Sequence, residues 1–450
     1  MEPKPFSYSL LSIYNAIWVM ARPIINIISH LSFSNSAEVK KLKIRLGENV
    51  EQLPTIEAGG IWIHALSAGE VLSALPLARL LISIRHKIGS SKPIVMSAST
   101  VSGYKILKSS NLELDNILTM PLDAPWIMKK LVKRLRPSIF ILIEGDVWPN
   151  LLVALRTHQT KCFLVNARMS PSSFQRYRLL AKSGGNTFSM FDAVFVASPE
   201  MLKFYGEFVS PSKLFFLGNI KLDAVREKKI SEEKLVELKN EIGIDSQVPV
   251  WIAGSVHRGE EEVVLKTHRK ILEYIPKAVL ILAPRNIPGD IEWFGNASHK
   301  YGFNVARRSA KEKIKTQDTV YLVDTLGELM NFYGIAHVAF VGGSLVPKGG
   351  HNLLEPAIYG IPVCWGPYVF NFRDIAEIIK NYGRGMEIRD HKSLEDFLLR
   401  HLSKRFSLPL NSSFTYPFKA TITDEEMTFS PYGDFPTIEV LSKILDIASE

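Results

Sequence analysis

At 450 residues the chain is too long for one ordinary hydrophobic core and suggests two domains of about 200 residues each. Its 46% apolar and 22% charged residues are globular values that exclude widespread disorder. The net charge of +9 asks for an acidic partner (nucleic acid, anionic lipid or a phosphorylated substrate), and with no zinc-finger spacing, RNP-like stretch or repeat the chain is not read as a nucleic-acid binder.

Residues 7–33 carry a single charge, Arg22. The run is long enough to cross a bilayer, although Arg22-Pro23 interrupts it near the middle and Asn15 and Asn26 dilute it. A cleaved signal peptide fits poorly, because Lys4 is the whole basic n-region. The basic cluster Lys40, Lys41, Lys43 and Arg45 follows at once; by the positive-inside rule it puts the globular part on the cytoplasmic side, and it attracts anionic head groups. Residues 1–38 are therefore expected to be a membrane anchor, spanning the bilayer or lying in its interface. The alternative is an apolar first helix packed on the protein's own core.

From Ile61 strands and helices alternate. Strands are expected at Ile61–Ala65, Pro93–Met96, Ile139–Ile143, Cys162–Val165, Ala193–Val196 and Leu214–Leu217, with helices such as Val71–Ile88 and Ile127–Leu135 between them. Continuous apolar strands separated by helices mean a parallel sheet covered on both faces. Ala224–Ile244 is charged and helical, the expected link between halves, and the pattern restarts with strands at Val250–Ala253, Ala278–Leu282, Val320–Val323, Val338–Val341 and Pro362–Trp365. The expected architecture is two doubly wound Rossmann-like α/β domains, 39–223 and 224–407, whose crevices at the carboxyl ends of the strands face one another across a cleft. Residues 408–450 form a polar tail and a last helix near Thr437–Ser449, possible cover for the first domain. Cys162 and Cys364 fall in apolar runs and read as buried reduced thiols, too few for a cysteine metal site.

The chemistry-bearing residues stand where strands end. After Ile61–Ala65 come Ser67, Gly69 and Glu70, which put a carboxylate at a helix start, where the dipole favours its anion; it is either a base or an ordinary dipole-complementing residue. Glu144 and Asp146 follow Ile139–Ile143 and either orient a substrate or cap the next helix. Arg168, Arg176, Arg178 and Lys182 make a cationic arc suited to an anionic acceptor. In the second half Ser255 lies in a small-residue loop and Arg285 ends the next strand. The stretch VAFVGGSLVPKGGHNLLE (338–355) reads as a strand, a glycine-rich turn with Gly342, Gly343 and Ser344, a second pair Gly349-Gly350, and a helix capped by Asn352 with Glu355 three residues later. Strand, glycines and helix start together make an anion site, the glycines letting backbone amides approach a phosphate. Glu355 could accept hydrogen bonds from sugar hydroxyls. His257 and His351 lack metal-ligand spacing and are expected to bond within loops.

Taken together, IHALSAGEV, EGDVWPN, VNARMS, GNIKLD, AGSVHRGEE, APR, GGSLVPKGGHNLLEPAIYGIPVCWGP and NFRD, in this order, resemble the Kdo (3-deoxy-D-manno-octulosonic acid) transferase family of lipopolysaccharide assembly. The resemblance implies a GT-B glycosyltransferase on the inner face of the cytoplasmic membrane that moves Kdo from CMP-Kdo, a co-substrate, to the glucosamine disaccharide of a lipid A precursor, with inversion, no cofactor and no metal. By position Glu70 matches the family's base, and Ser255, Arg285, Gly342, Gly343, Ser344, Asn352 and Glu355 match its CMP-Kdo site; Gly350 belongs to the same loop, and Lys348 offers a cation for the sugar's carboxylate. Ser67, Gly69, Glu144, Asp146, Arg168, Arg176 and Arg178 fall on the acceptor side. The chain departs from the family pattern at Gly145, Asp146 and Asn286, where Thr, Glu and His are usual. Another GT-B nucleotide-sugar enzyme, a lipid glycosyltransferase or an epimerase, is the alternative.

Overall fold

The computed structural model describes residues 5–31, 45–47, 50, 56–145, 147–226, 229–245, 247–381, 383–406 and 436–449. Lys40, Lys41, Lys43, Asp146 and the tail 408–435 lie outside the described residues. The chain divides into two compact units, Met1–Ala224 with Tyr432–Glu450, and Val225–Pro431.

In the first unit β1 (Ile61–Ala65), β2 (Ile94–Ala98), β3 (Asn116–Thr119), β4 (Ile139–Ile143), β5 (Lys161–Ala167), β6 (Ala193–Val196) and β7 (Leu214–Phe215) form one parallel sheet in the order β3-β2-β1-β4-β5-β6-β7. Alternate residues serve opposite faces, as the strand's two-residue period requires. Trp62, Phe140, Leu142, Cys162 and Leu164 pack under helices 125–135 and 149–157. Ile63, Ala65, Ile141, Ile143, Phe163 and Val165 pack on the other face, under Ala68–Lys87. The last helix, Pro436–Ser449, lies on that second face and buries Val440, Leu441 and Ile444; each such side chain is worth about 1.5–3 kcal/mol. Thr437 N–H also donates to Asp223 at 2.8 Å.

The second unit repeats the plan with β8 (Val250–Val256), β9 (Val279–Pro284), β10 (Asn304–Arg307), β11 (Thr319–Leu322), β12 (Val338–Val341), β13 (Val363–Trp365) and β14 (Gly385–Glu387), ordered β10-β11-β9-β8-β12-β13-β14. Trp251 and Ala253 face one layer of its core, Val250 and Ile252 the other. Three strands escape the sequence pattern, β3, β10 and β14. All three are short edge strands, and an edge needs apolar residues on neither face throughout.

The first helix, Tyr8–Leu31, continues through Pro23 instead of breaking there. It is tied to the first unit by Phe6 N–H on Ser189 Oγ (3.1 Å), Ser7 N–H on the Gly184 carbonyl (2.7 Å) and Tyr14 Oη on Asp123 (3.3 Å), while Leu11 is buried and Trp18 packs against the core. Tyr8, Ile13, Ile17, Val19 and Met20 stay exposed. Among the described residues no helix is long and apolar enough to cross a membrane, which corrects the expectation of a spanning anchor.

Candidate active site

Open parallel sheets bind ligands where the strand order reverses, at the carboxyl ends of the strands. In the first sheet the reversal lies between β1 and β4. Ser67 is the N-cap of helix Ala68–Lys87 and accepts from Glu70 N–H at 3.4 Å. The Glu70 carboxylate turns back over the same turn, accepting Leu66 N–H at 2.7 Å and Ser67 Oγ–H at 3.1 Å. This is a capping box in all but register, so the carboxylate is held by the helix start and by the N-cap hydroxyl. Glu70 thus complements the helix start and stands at the strand reversal. Gly69 meets little around it, its nearest neighbour being Ser67 Oγ at 4.0 Å. Behind this turn His64 is buried, bonded to Ser97 Oγ at 2.8 Å, and burial depresses its pKa to about 4, so it stays neutral.

Across the reversal, Glu144 adopts a left-handed backbone (φ 67°) and its carboxylate pairs with Lys221 at 2.6 Å. Asn166, also left-handed (φ 59°), forms the irregularity where β5 pairs with β6 and donates to Glu144 at 3.4 Å; its own Oδ1 is buried without a partner. Non-glycine residues held this way are strained by about 1 kcal/mol or more, and such residues cluster at functional sites. Lys221 was not singled out in the sequence, although it lies in GNIKLD. The expected cationic arc is only partly available: Arg178 pairs with Glu207 at 2.9 Å, Arg176 lies exposed on its helix near Ser173, and the Arg168 carbonyl accepts from Tyr205 Oη at 3.1 Å.

In the second sheet the reversal lies between β8 and β12. Here the loop after β12 departs from expectation. Glu260, with no exposed surface, accepts four backbone N–H groups: His257 (2.9 Å) and Gly343 (2.8 Å) on Oε2, Ser344 (3.0 Å) and Leu345 (2.8 Å) on Oε1. The glycine loop is an anion nest, and the anion in it is the protein's own. Gly342 is required by the protein too, since a Cβ there would stand 2.6 Å from the Ser255 carbonyl oxygen and 2.8 Å from Glu260. Ser344 is buried, donating to the Val341 carbonyl at 2.5 Å and accepting Gly366 N–H at 2.8 Å. Gly342, Gly343 and Ser344, expected from sequence at the donor phosphate, tie β8, β12 and the loop after β13 together.

The helix after the glycines is also shorter than expected, a single turn at Leu354–Ala357 whose N-cap is Leu353, so little dipole is available. Asn352 still accepts Leu354 N–H at 3.2 Å and donates to Glu355 at 3.3 Å, fixing that carboxylate. Gly350 N–H bonds the Gly343 carbonyl at 2.8 Å and closes the loop.

Side chains supply the positive charge that the amides do not. Arg285 and Lys348 are exposed and, among the described residues, their side chains have no ion-pair or hydrogen-bond partner. Both lie close enough to His257 to depress its pKa after burial has done so. His257 Nε2 and His351 Nε2 are 2.8 Å apart with ring planes 1° from parallel, and burial, His257 and Arg285 lower His351 to about 4. Ser255 sits at the irregularity where β8 pairs with β9, left-handed at φ 55°. Among the described residues no cluster of three or more His, Cys, Asp or Glu could hold a metal.

Two parallel-sheet α/β units with sites at their reversal points are the architecture of GT-B enzymes. The fold is similar to that of the UDP-GlcNAc 2-epimerase from Neisseria meningitidis bound to UDP-GlcNAc (TM-score 0.55, 10% identity, 86% of this chain and 99% of that one), a likeness of fold alone. Residues 37–224 match the 3-Deoxy-D-manno-octulosonic-acid transferase (kdotransferase) domain. The chain is 34% identical to 3-deoxy-D-manno-octulosonic acid transferase of Haemophilus influenzae over 321 residues, 71% of this chain and 73% of that protein. It is 30% identical to the Aquifex aeolicus transferase over 345 residues, 77% of this chain and 86% of that protein. The chain belongs to the 3-deoxy-D-manno-octulosonic acid transferase family, and it is a glycosyltransferase.

Proposed function

We propose that this protein transfers Kdo from CMP-Kdo to a glucosamine disaccharide of the lipid A precursor type. The observation that carries the donor reading is the uncompensated charge of Arg285 and Lys348 beside the β8–β12 reversal, in a chain of this family. A nucleotide sugar bearing a phosphate and a carboxylate needs two cations, and two are there. Glu355, fixed by Asn352, accepts from the ribose hydroxyls, and Ser255 offers its hydroxyl.

On the acceptor side Glu70 removes the proton from the attacking sugar hydroxyl. The oxygen attacks the anomeric carbon from the face opposite CMP, which inverts that centre, and the phosphate leaves towards Arg285 and Lys348. The Glu144–Lys221 pair, with Glu144 on strained backbone at the same reversal, orients the acceptor. No metal is needed on the protein, because CMP already carries a good leaving group and the cations are side chains.

The first helix supports residence at the cytoplasmic face of the inner membrane in the interfacial mode. Leu11, Tyr14 and Trp18 face the protein, and Ile13, Ile17 and Met20, also one turn apart, form an exposed apolar line. Such a line enters the head-group boundary without crossing it. The test is purified protein with CMP-Kdo and a tetra-acylated lipid A precursor, product masses read by mass spectrometry. Mass increments of one Kdo or more are expected; CMP-Kdo binding with no change in acceptor mass would reject the acceptor.

A further inference from the structure

The His257–His351 pair has no structural task that a neutral loop contact would not meet, yet its geometry is specific. A centroid distance of 5.1 Å with planes 1° apart and Nε2–Nε2 at 2.8 Å means two coplanar rings meeting nitrogen to nitrogen. Two ring nitrogens this close require one proton between them. In the neutral pair one ring carries Nε2–H and a bare Nδ1, and the other carries Nδ1–H and accepts. One further proton can enter, at the bare Nδ1, without breaking the contact. A second would set two N–H groups against each other. The pair is thus a one-proton store.

Its surroundings set when the store fills. His257 faces Glu260 at the start of helix Glu261–Tyr274, Asp290 before helix Ile291–Lys300, Lys348 in the loop after β12 and Arg285 after β9; His351 faces His257 and Arg285. The two cations and burial keep the pair neutral, while Glu260 and Asp290 pull the other way. Burial opposes protonation most, and an anion drawn to Arg285 and Lys348 cancels the part that the two cations add. The rings also rest on Gly343, where a Cβ would come within 3.0 Å of His351 and 3.2 Å of His257.

Resting on the CMP-Kdo reading above, we infer that the His257–His351 pair is the acid of the reaction: it takes up one proton when the donor's phosphate binds and gives it, from a ring Nδ1, to the phosphate as it leaves. The balance is closed. The acceptor oxygen forms the new bond to the anomeric carbon and loses its proton to Glu70. The bond from that carbon to the phosphate oxygen breaks, its electron pair goes to the oxygen, and the imidazolium proton passes to the phosphate. CMP departs with one charge less, and Glu70 and the pair exchange protons with solvent before the next cycle.

The experiment has two arms. Calorimetry of CMP binding at pH 7, in buffers of different ionisation enthalpy, should show uptake on the order of one proton per CMP by the wild type and a loss of most of it in His351→Asn. In transfer assays His257→Asn and His351→Asn should each lower kcat about 100-fold, leave CMP-Kdo affinity within a few fold, and lose no more when combined, because the two rings act as one group. Wild-type CMP binding without proton uptake, or full kcat in both single variants, overturns the assignment. Absence of CMP binding by the wild type overturns the donor reading itself, and the pair's role with it.

Discussion

Glu260→Gln tests the most unexpected feature of the second unit. The carboxylate is buried and accepts two N–H groups on each oxygen. Whichever oxygen becomes an NH2, two backbone donors are left facing another donor. Each stranded donor costs about 1–3 kcal/mol, so the substitution should cost about 2–6 kcal/mol with almost no change in shape. Urea unfolding followed by tryptophan fluorescence reads this directly, with Trp251 buried in the same unit. A companion variant, Glu260→Ala, empties the nest, and added acetate should then restore part of the lost stability while leaving the wild type unchanged. A Gln variant within 0.5 kcal/mol of wild type, or an Ala variant indifferent to acetate, would refute the claim that the loop amides hold an internal anion.

Three buried histidines govern acid stability. His64, His268 and His337 have pKa values depressed by burial to about 4, about 3 and about 4. The unfolded chain takes up their protons below about pH 6.5 and the folded chain does not, so stability is lost as pH falls from 6.5 towards 4, by about 2 kcal/mol per histidine at pH 5. Asp123 acts in the opposite sense: burial raises its carboxyl to about 7, so the folded state keeps a proton that the unfolded chain has shed, returning about 3 kcal/mol over the same interval. These four groups together predict a net loss of about 3 kcal/mol between pH 7 and pH 5 in urea titrations, to which the half-buried His351, also lowered to about 4, adds in the same direction; a flat or rising midpoint would contradict it. At the first helix, Ile17→Asp should cut cosedimentation with anionic phospholipid vesicles severalfold while CMP-Kdo binding is retained, since the Ile17 side chain is exposed. Equal cosedimentation would remove the helix as the membrane contact.

The central strands were legible because they are buried on both faces. Ile139–Ile143, Ala193–Val196 and Val338–Val341 are continuous apolar runs, Ile61–Ala65 is another but for His64, and the ends of all four agree with the structure. The edge strands Asn116–Thr119, Asn304–Arg307 and Gly385–Glu387 lack that signature and were passed over. Local chemistry was legible where it is short in sequence: the Ser67–Glu70 turn is made by residues three apart. It was not legible where partners come from distant loops. Glu260 reaches Gly343 across 83 positions and His257 meets His351 across 94, and no spacing rule connects them. The position of the glycine loop was read correctly and the Glu260 carboxylate on its amides was not, because glycines that admit a phosphate and glycines that admit a neighbouring strand look alike in sequence. Lys221 escaped for a related reason, since its meaning lies in Glu144, in the turn after β4.

The most direct test of the central claim is a single-turnover measurement with Glu70→Gln beside the wild type, using CMP-Kdo and a tetra-acylated lipid A precursor, with CMP-Kdo affinity determined for both. The amide cannot take a proton; its one oxygen can still accept from Leu66 N–H, which the carboxylate holds on Oε2, while its NH2 faces the Ser67 hydroxyl that the carboxylate's Oε1 now accepts, and that hydroxyl can accept in turn. Loss of transfer by a factor of about 100 or more with donor affinity unchanged is the predicted result. Transfer at the wild-type rate would contradict it, and would show that the acceptor's proton leaves by another route.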